Sequence, residues 1–236
     1  MKRISLIVPC LNEEEAIPAF KQEIDRVFKE CLEGYAPELI FVDDGSTDRS
    51  LEMIKKMAEH SPEVKFISFS RNFGKEAAIY AGLEAATGDY AAVMDVDLQD
   101  PPSLLPDMLK AIEKEGYDCA GTRRVTRQGE PLLRSFFARA FYKTIHQISD
   151  TRIVDGARDY KLMTRPVLEA LLSLKEYNRF SKGLYEWVGF RTKWFEYENV
   201  ERVAGETKWS FFKLFLYSIE GIVAFSTAPL ALASIM

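Results

Sequence analysis

The sequence predicts an α/β fold with a mostly parallel central sheet and helices on both faces. Two observations carry this. Over the first 120 residues, short β-type apolar runs alternate with stretches of helical periodicity. Such a β-α-β-α order calls for parallel strands joined by crossover helices. In addition, a polar cluster follows each of the first four runs: Asn12-Glu13, Asp43-Asp44, Arg71-Asn72, then Asp95 and Asp97. Ligands of parallel sheets bind beyond the carboxyl ends of the strands, so four polar strand ends on one edge define a site.

The elements are expected in this order. Residues 4–8 form an apolar strand that ends at Pro9. Residues 14–33 have helical periodicity, closed by Gly34. Residues 39–42 are the second strand and run into Asp43-Asp44-Gly45-Ser46, after which Thr47 or Asp48 can cap a helix to about His60. Residues 64–69 are a third strand, 75–86 an Ala-rich helix ended by Thr87-Gly88, and 90–94 a fourth strand. A helix over 102–115 and a strand over 119–122 follow. Beyond residue 123 the pattern loosens to an amphipathic helix over 132–148, a strand over 159–163 and a short helix over 166–174. Residues 184–190 and 193–198 are aromatic-rich and fit neither period cleanly. The expected organisation is one domain over 1–205 and a membrane-proximal tail over 206–236.

Composition narrows the function classes. Apolar residues make up 47% and charged residues 28%, enough for a sizeable core. The net charge of −5 gives no reason to expect nucleic acid as a partner. Residues 121–165 nevertheless hold ten Lys and Arg against four acids, a local +6 that leaves −11 for the rest. That suggests a local anion site, with a solvated helix face as the alternative. Cys10, Cys31 and Cys119 form no CxxC pair and read as thiols of a reducing compartment. Met1-Lys2-Arg3 leads straight into a strand, so no signal segment is expected. Residues 222–236 carry no charge, and the aromatic-rich segment 209–217 before them has a single Lys. Fifteen residues fall short of the roughly 20 that span a bilayer. The segment is expected to begin a transmembrane helix, with a buried terminal helix as the alternative.

The chemistry centres on Tyr90-Ala-Ala-Val-Met-Asp-Val-Asp-Leu-Gln-Asp100. In extended chain Asp95, Asp97 and Gln99 would point the same way. Two carboxylates side by side call for a cation, and an oxygen-only set suits Mg²⁺ or Mn²⁺, which also bind substrate phosphates. The alternative is a strand end with solvated acids. Asp43 precedes a tight turn and could accept N–H groups of uracil or guanine; a turn plus helix cap accounts for Ser46 to Asp48. Arg71-Asn-Phe-Gly-Lys75 opens a helix, where Arg71 and Lys75 would favour a diphosphate. No GxGxxG and no Walker A loop is present, against a dinucleotide Rossmann site and a P-loop NTPase.

Taken together, Val8-Pro-Cys-Leu-Asn-Glu13, Val42-Asp-Asp-Gly-Ser46, Arg71-Asn-Phe-Gly-Lys-Glu-Ala-Ala78, Ala86-Thr-Gly88 and Asp95-Val-Asp-Leu-Gln-Asp-Pro-Pro102 stand in an order that resembles family 2 glycosyltransferases of the GT-A fold. The resemblance is strongest to polyprenyl-phosphate sugar transferases, the dolichyl-phosphate mannosyltransferases and bactoprenyl-phosphate glucosyltransferases. Gly121-Thr-Arg123, Arg158-Asp-Tyr-Lys-Leu-Met163, Phe180-Ser-Lys-Gly-Leu-Tyr-Glu-Trp187 and Arg202-Val-Ala-Gly-Glu-Thr-Lys-Trp-Ser210 extend it over nearly the whole chain. The resemblance implies a nucleotide-sugar donor, a polyprenyl phosphate acceptor and a catalytic domain on the cytoplasmic side of the cell membrane, with homo-oligomerisation left open. It implies that Asp95, Asp97 and Gln99 hold the cation. Asp43 would face the base, with Pro9, Asn12, Glu13 and Asp44 around it. Arg71 and Lys75 would flank the diphosphate. Arg123, Arg127, Arg134, Arg202 and Lys208 would receive the acceptor phosphate. Family members usually read Gly-Asp-Phe-Arg-Leu-Met where this chain has Arg158-Asp-Tyr-Lys-Leu-Met. Asp159 therefore takes the acidic position, with Asp155 near enough to compete. A phosphate acceptor is largely dianionic at neutral pH, so Asp159 is expected to orient rather than to take a proton. UDP-glucose is the expected donor. GDP-mannose, UDP-N-acetylglucosamine, a non-lipid acceptor and a silent nucleotide-sugar-binding module are the alternatives.

Overall fold

The computed structural model describes residues 1–124, 154–198, 219, 221–227 and 234. The elements are β1 (Lys2–Cys10), α1 (Ala16–Cys31), β2 (Tyr35–Asp43), α2 (Ser50–His60), β3 (Val64–Ser68), α3 (Lys75–Ala85) and β4 (Tyr90–Val93). After a 3₁₀ turn (Pro102–Leu104) come α4 (Leu105–Glu115), β5 (Cys119–Arg124), β6 (Ala157–Thr164), α5 (Arg165–Ser173), α6 (Ser181–Trp187) and β7 (Thr192–Tyr197).

These strands form one sheet in the order β3-β2-β1-β4-β6-β5-β7. Only β6 runs against its neighbours: it pairs antiparallel with β4 and β5, while the other adjacent pairs are parallel. The reversal matters for function. It brings the start of β6 to the edge where β1, β2 and β4 end. Val93 pairs with Lys161. Continuing that register by two residues sets Asp159 beside Asp95.

Alternating side chains of β1 and β2 feed two cores, one on each face of the sheet. Leu6, Val8, Leu39 and Phe41 pack with Phe20 and Ile24 of α1 and with Met108 and Ile112 of α4. Ile7, Ile40 and Val42 pack with Ile79 and Leu83 of α3 and with Leu168 and Leu171 of α5. Burial on both faces explains why these strands are continuous apolar runs.

Several boundaries depart from expectation for identifiable reasons. β1 continues through Pro9 to Cys10, paired with Val42 and Asp43 of β2. β4 pairs with β1 only as far as Ile7. Pro9 thus lies where one side of the strand is open, which a residue without an N–H tolerates. α2 begins at Ser50, and Asp48 Oδ1 accepts the Ser50 N–H at 2.9 Å. The unassigned stretches 184–190 and 193–198 resolve as part of α6 and as β7. Residues 221–225 are helical, and the helix stops at 226–227. Phe225 packs on Phe180 and Trp187 of the main body, with ring centroids 6.2 and 6.5 Å away. Among the described residues no helix is long and apolar enough to cross a membrane; residues 228–233 and 235–236 of the expected transmembrane start lie outside the described residues. The helix at 132–148 and Arg127, Arg134, Arg202 and Lys208 lie outside the described residues.

The Ala86-Thr-Gly88 motif has a structural explanation at the opposite end of the sheet from the site. Glu38 is 2% exposed. Its carboxylate accepts from Ser5 Oγ (2.5 Å), the Thr87 N–H and Oγ1 (2.9 and 2.6 Å) and Lys65 Nζ (2.5 Å). A Cβ on Gly88 would come within 2.7 Å of Ser5 Oγ and 2.8 Å of the Arg3 carbonyl. Burial alone would raise the Glu38 carboxyl, but Lys65, Ser5 and Thr87 outweigh it and hold its pKa at about 2. A folded-state pKa below the unfolded one contributes stability above the unfolded value and loses it as pH falls through the folded one. Glu38 is therefore expected to stabilise the fold fully above about pH 4.5 and to lose that contribution between about pH 4.5 and 2. Glu38→Gln should lower stability by about 2 kcal/mol at neutral pH and flatten this acid limb in denaturant melts.

Candidate active site

The loops after β1 and β2 form one clasp. The Asn12 N–H donates to Ser46 Oγ (2.9 Å), and Asn12 Oδ1 accepts the Thr47 N–H (2.7 Å). The Glu13 N–H donates to Ser50 Oγ (2.7 Å), and the Arg49 N–H donates to Glu14 Oε2 (2.8 Å). The bonds explain the left-handed Asn12 (φ 52) and the later start of α1. Asn12 thus fixes the wall of the site through its amide. Asp44 does the same elsewhere: buried, it accepts the N–H groups of Phe73 (2.6 Å) and Gly74 (3.0 Å) and pins the turn before α3. Gly45 (φ 74) permits that closeness, since a Cβ there would stand 2.5 Å from the Arg71 carbonyl carbon.

Within this frame Asp43 is 1% exposed at the end of β2, flanked in register by Cys10 and Ser68. Its carboxylate accepts the Ser46 N–H at 3.3 Å and Ser68 Oγ at 3.5 Å. Both contacts are long. Pro9 pairs with Val42 one step earlier in the register, and Glu13 follows β1 in the clasp. Arg71 is exposed, with its guanidinium 3.9 Å from the Phe73 ring centroid.

Next to this wall lies a junction of alternating charges. Lys75 Nζ lies 2.7 Å from Asp95 Oδ1 and 2.5 Å from Asp159 Oδ2. On the far side of Asp159, Lys182 Nζ stands 4.0 Å from Oδ1. Arg158 reaches the opposite way, with Nη2 4.0 Å from Asp95 Oδ2 and Nε donating to Asp100 Oδ1 at 2.9 Å. The Tyr197 hydroxyl donates to that same Asp100 oxygen. Burial would lower the Lys75 ammonium, but Asp159 and Asp95 outweigh it and hold its pKa well above the usual range. Burial would likewise raise the Asp159 carboxyl, but Lys75 and Lys182 hold it well below the carboxylate range. Asp159 is thus an ionised anchor for two lysines and a poor proton acceptor. Asp155, the competing acid, is exposed in the turn before β6.

The alternation expected of Asp95, Asp97 and Gln99 is corrected by the backbone. The strand ends at Val93, and the chain turns over 96–100 with Leu98 left-handed (φ 56). Asp97 is 5% exposed, and its Oδ1 accepts the Gln99 N–H at 3.1 Å. The donor set still suits a hard cation. Asp95 already binds an ammonium, and Asp97 lies in the same turn; Mg²⁺ and Mn²⁺ need only one or two carboxylates when waters and phosphates complete the shell. Among the described residues no three His, Cys, Asp or Glu side chains converge into a cage. A cation here would draw its other ligands from solvent and substrate.

Arg123 Nη2 pairs with Glu196 Oε1 at the end of β5. Arg158, Lys182, Asp100 and Tyr197 were not singled out from sequence. Arg158 and Lys182 stand inside motifs that carry the family resemblance, but their proximity to Asp95 and Asp159 depends on the reversed β6 and on α6.

A parallel-sheet edge that gathers a buried acid, an acid-rich turn and paired lysines is the architecture of a GT-A glycosyltransferase. The sequence profile described as glycosyl transferase family 2 matches residues 5–172, and the chain belongs to that family. Glycosyltransferase CsbB of Bacillus subtilis is 44% identical over 97% of this chain and 68% of its own length. The bactoprenol glucosyl transferase of Shigella phage SfV is 42% identical over 97% of this chain and 73% of its own. Among solved structures, glucosyl-3-phosphoglycerate synthase of Mycobacterium tuberculosis with Mn²⁺ and UDP-glucose superposes with a TM-score of 0.57 at 20% identity, over 94% of this chain and 77% of that one. A mannosyltransferase of Pyrobaculum calidifontis in complex with GDP-mannose and Mn²⁺ gives 0.56 at 21% identity; the chain covers 58% of it, with 87% of this chain aligned. At such identities these structures establish the GT-A fold alone.

Proposed function

We propose that the protein is an inverting, metal-dependent hexosyltransferase that moves glucose from UDP-glucose onto a polyprenyl phosphate at the membrane surface. The observation that carries this reading is the Lys75 ammonium between Asp95 and Asp159. A cation beside an acid-rich turn supports a site for a nucleotide diphosphate, and the likeness to a relative named for bactoprenol supports the acceptor.

Asp43 accepts a base N–H, with Pro9 and Glu13 lining its pocket. Arg71 and Lys75 flank the diphosphate. Asp95 and Asp97, with Gln99 beside them, would hold the divalent cation, which would supply positive charge to offset that of the departing nucleotide. An acceptor phosphate oxygen attacks the anomeric carbon from the face opposite the diphosphate. The new C–O bond forms as the bond to the β-phosphate oxygen breaks, and its electron pair leaves with UDP. One such displacement inverts the anomeric centre. Asp159 orients Lys75 and Lys182 and takes no proton.

This makes a pH expectation. Asp159 stays ionised across the neutral range, because Lys75 and Lys182 more than offset its burial. The acid limb of kcat/KM should then follow the second ionisation of the acceptor phosphate, near pH 6. A panel of UDP-glucose, GDP-mannose and UDP-N-acetylglucosamine with undecaprenyl phosphate tests the reading, each with and without Mn²⁺ or Mg²⁺. Metal-dependent transfer from UDP-glucose is expected. Preference for another donor would correct the sugar, and transfer only to a soluble acceptor would overturn the acceptor assignment.

A further inference from the structure

We propose that Lys182 is the acceptor-side cation of this site and receives the phosphate head of the prenyl acceptor. The inference rests on the transferase reading and names a residue for its acceptor.

Two anions must meet at the reacting carbon, so each needs its own cation. The basic groups around Asp159 differ in how they are engaged. Lys75, Arg158 and Arg123 each hydrogen-bond a carboxylate directly, on Asp159, Asp100 and Glu196. Lys161 is 1% exposed, bonded to Glu186 at 3.2 Å, and out of reach. Lys182 alone among these five is held without a hydrogen bond: its Nζ is 4.0 Å from Asp159 Oδ1. It is 23% exposed at the side chain and therefore reachable.

Its placement is fixed. The N–H of the preceding Ser181 donates to both Glu76 carboxylate oxygens at 3.1 Å, and Ser181 Oγ donates to Glu76 Oε2 at 2.5 Å. Glu76 directly follows Lys75. One short relay therefore locks Lys182 against the donor-side lysine, with Asp159 between them. An oxyanion drawn to Lys182 is held beside the position where Lys75 holds the diphosphate. The same helix carries Trp187, 60% exposed and packed on Phe225.

The test measures farnesyl phosphate binding by calorimetry to the intact protein, its Lys182→Gln variant and its Lys182→Arg variant, with farnesol and UDP plus Mn²⁺ as further ligands. The expected result is a roughly 10- to 100-fold weaker farnesyl phosphate Kd in Lys182→Gln, recovered in Lys182→Arg. Farnesol binding should be unaltered, and UDP–Mn²⁺ affinity should change less than about 3-fold. In turnover, KM for the prenyl phosphate should rise while KM for the donor holds. Equal farnesyl phosphate affinity in wild type and Lys182→Gln would overturn the Lys182 assignment and leave the transferase reading intact. An equal fall in UDP–Mn²⁺ affinity would also overturn it, by making Lys182 a donor-side or structural group. Absence of farnesyl phosphate binding by the wild type would overturn both.

Discussion

Lys75→Met is expected to tighten Mn²⁺ binding to the nucleotide-free protein while weakening UDP–Mn²⁺ binding. The ammonium neutralises Asp95 and Asp159 at 2.7 and 2.5 Å. Removing it leaves two partly buried carboxylates without their shared cation, which costs about 3 kcal/mol of stability. A divalent ion relieves that repulsion, so Mn²⁺ should raise the melting temperature of the variant more than that of the wild type. The diphosphate meanwhile loses a charge-assisted donor, and kcat/KM for transfer should fall roughly 10²- to 10³-fold. Titration by Mn²⁺ electron paramagnetic resonance with and without UDP reads both signs. If Lys75 were only a structural salt bridge, stability would drop with no gain in metal affinity.

Asp97→Ala should lower metal-dependent transfer by on the order of 10³-fold or more, because the leaving diphosphate then departs without a properly held cation. Asp97 Oδ1 also accepts the Gln99 N–H at 3.1 Å, so the fold of the variant is checked by its melting curve. Near-normal turnover of a folded Asp97→Ala protein would refute the metal assignment. Asp97→Asn separates charge from shape, since it keeps an oxygen able to accept the Gln99 N–H.

Much of this site was legible in the sequence because local rules govern it. The strand-helix alternation of the first 120 residues fixes the parallel order, and the polar groups after each run mark the ligand edge. Asp43, Asp95, Lys75 and Asp159 all came from such reasoning or from the motifs beside it. The failures have physical causes. The alternation at Asp95 and Asp97 assumed extended chain, and a left-handed Leu98 bends the segment instead. Asn12 and Asp44, expected around the base from the family resemblance, also bind backbone N–H groups of neighbouring loops through their side chains, which no local pattern announces. The contact between Lys75 and Asp159 spans 84 residues and needs β6 to run backwards between β4 and β5. No periodicity encodes that reversal. The aromatic-rich stretches over 184–198 stayed unassigned because their large side chains serve a short helix and a sheet edge equally well.

The central claim is that the acid-rich turn and its lysines pass a sugar from a nucleotide to a lipid phosphate. The most direct measurement incubates the protein with UDP-[¹⁴C]glucose, Mn²⁺ and undecaprenyl phosphate in detergent, then partitions the label between butanol and water. The expected result is label in the organic phase that is lost on adding EDTA, lost when undecaprenol replaces its phosphate, and released as free glucose by mild acid. Label that stays in the aqueous phase, or organic label unaffected by EDTA, would contradict it.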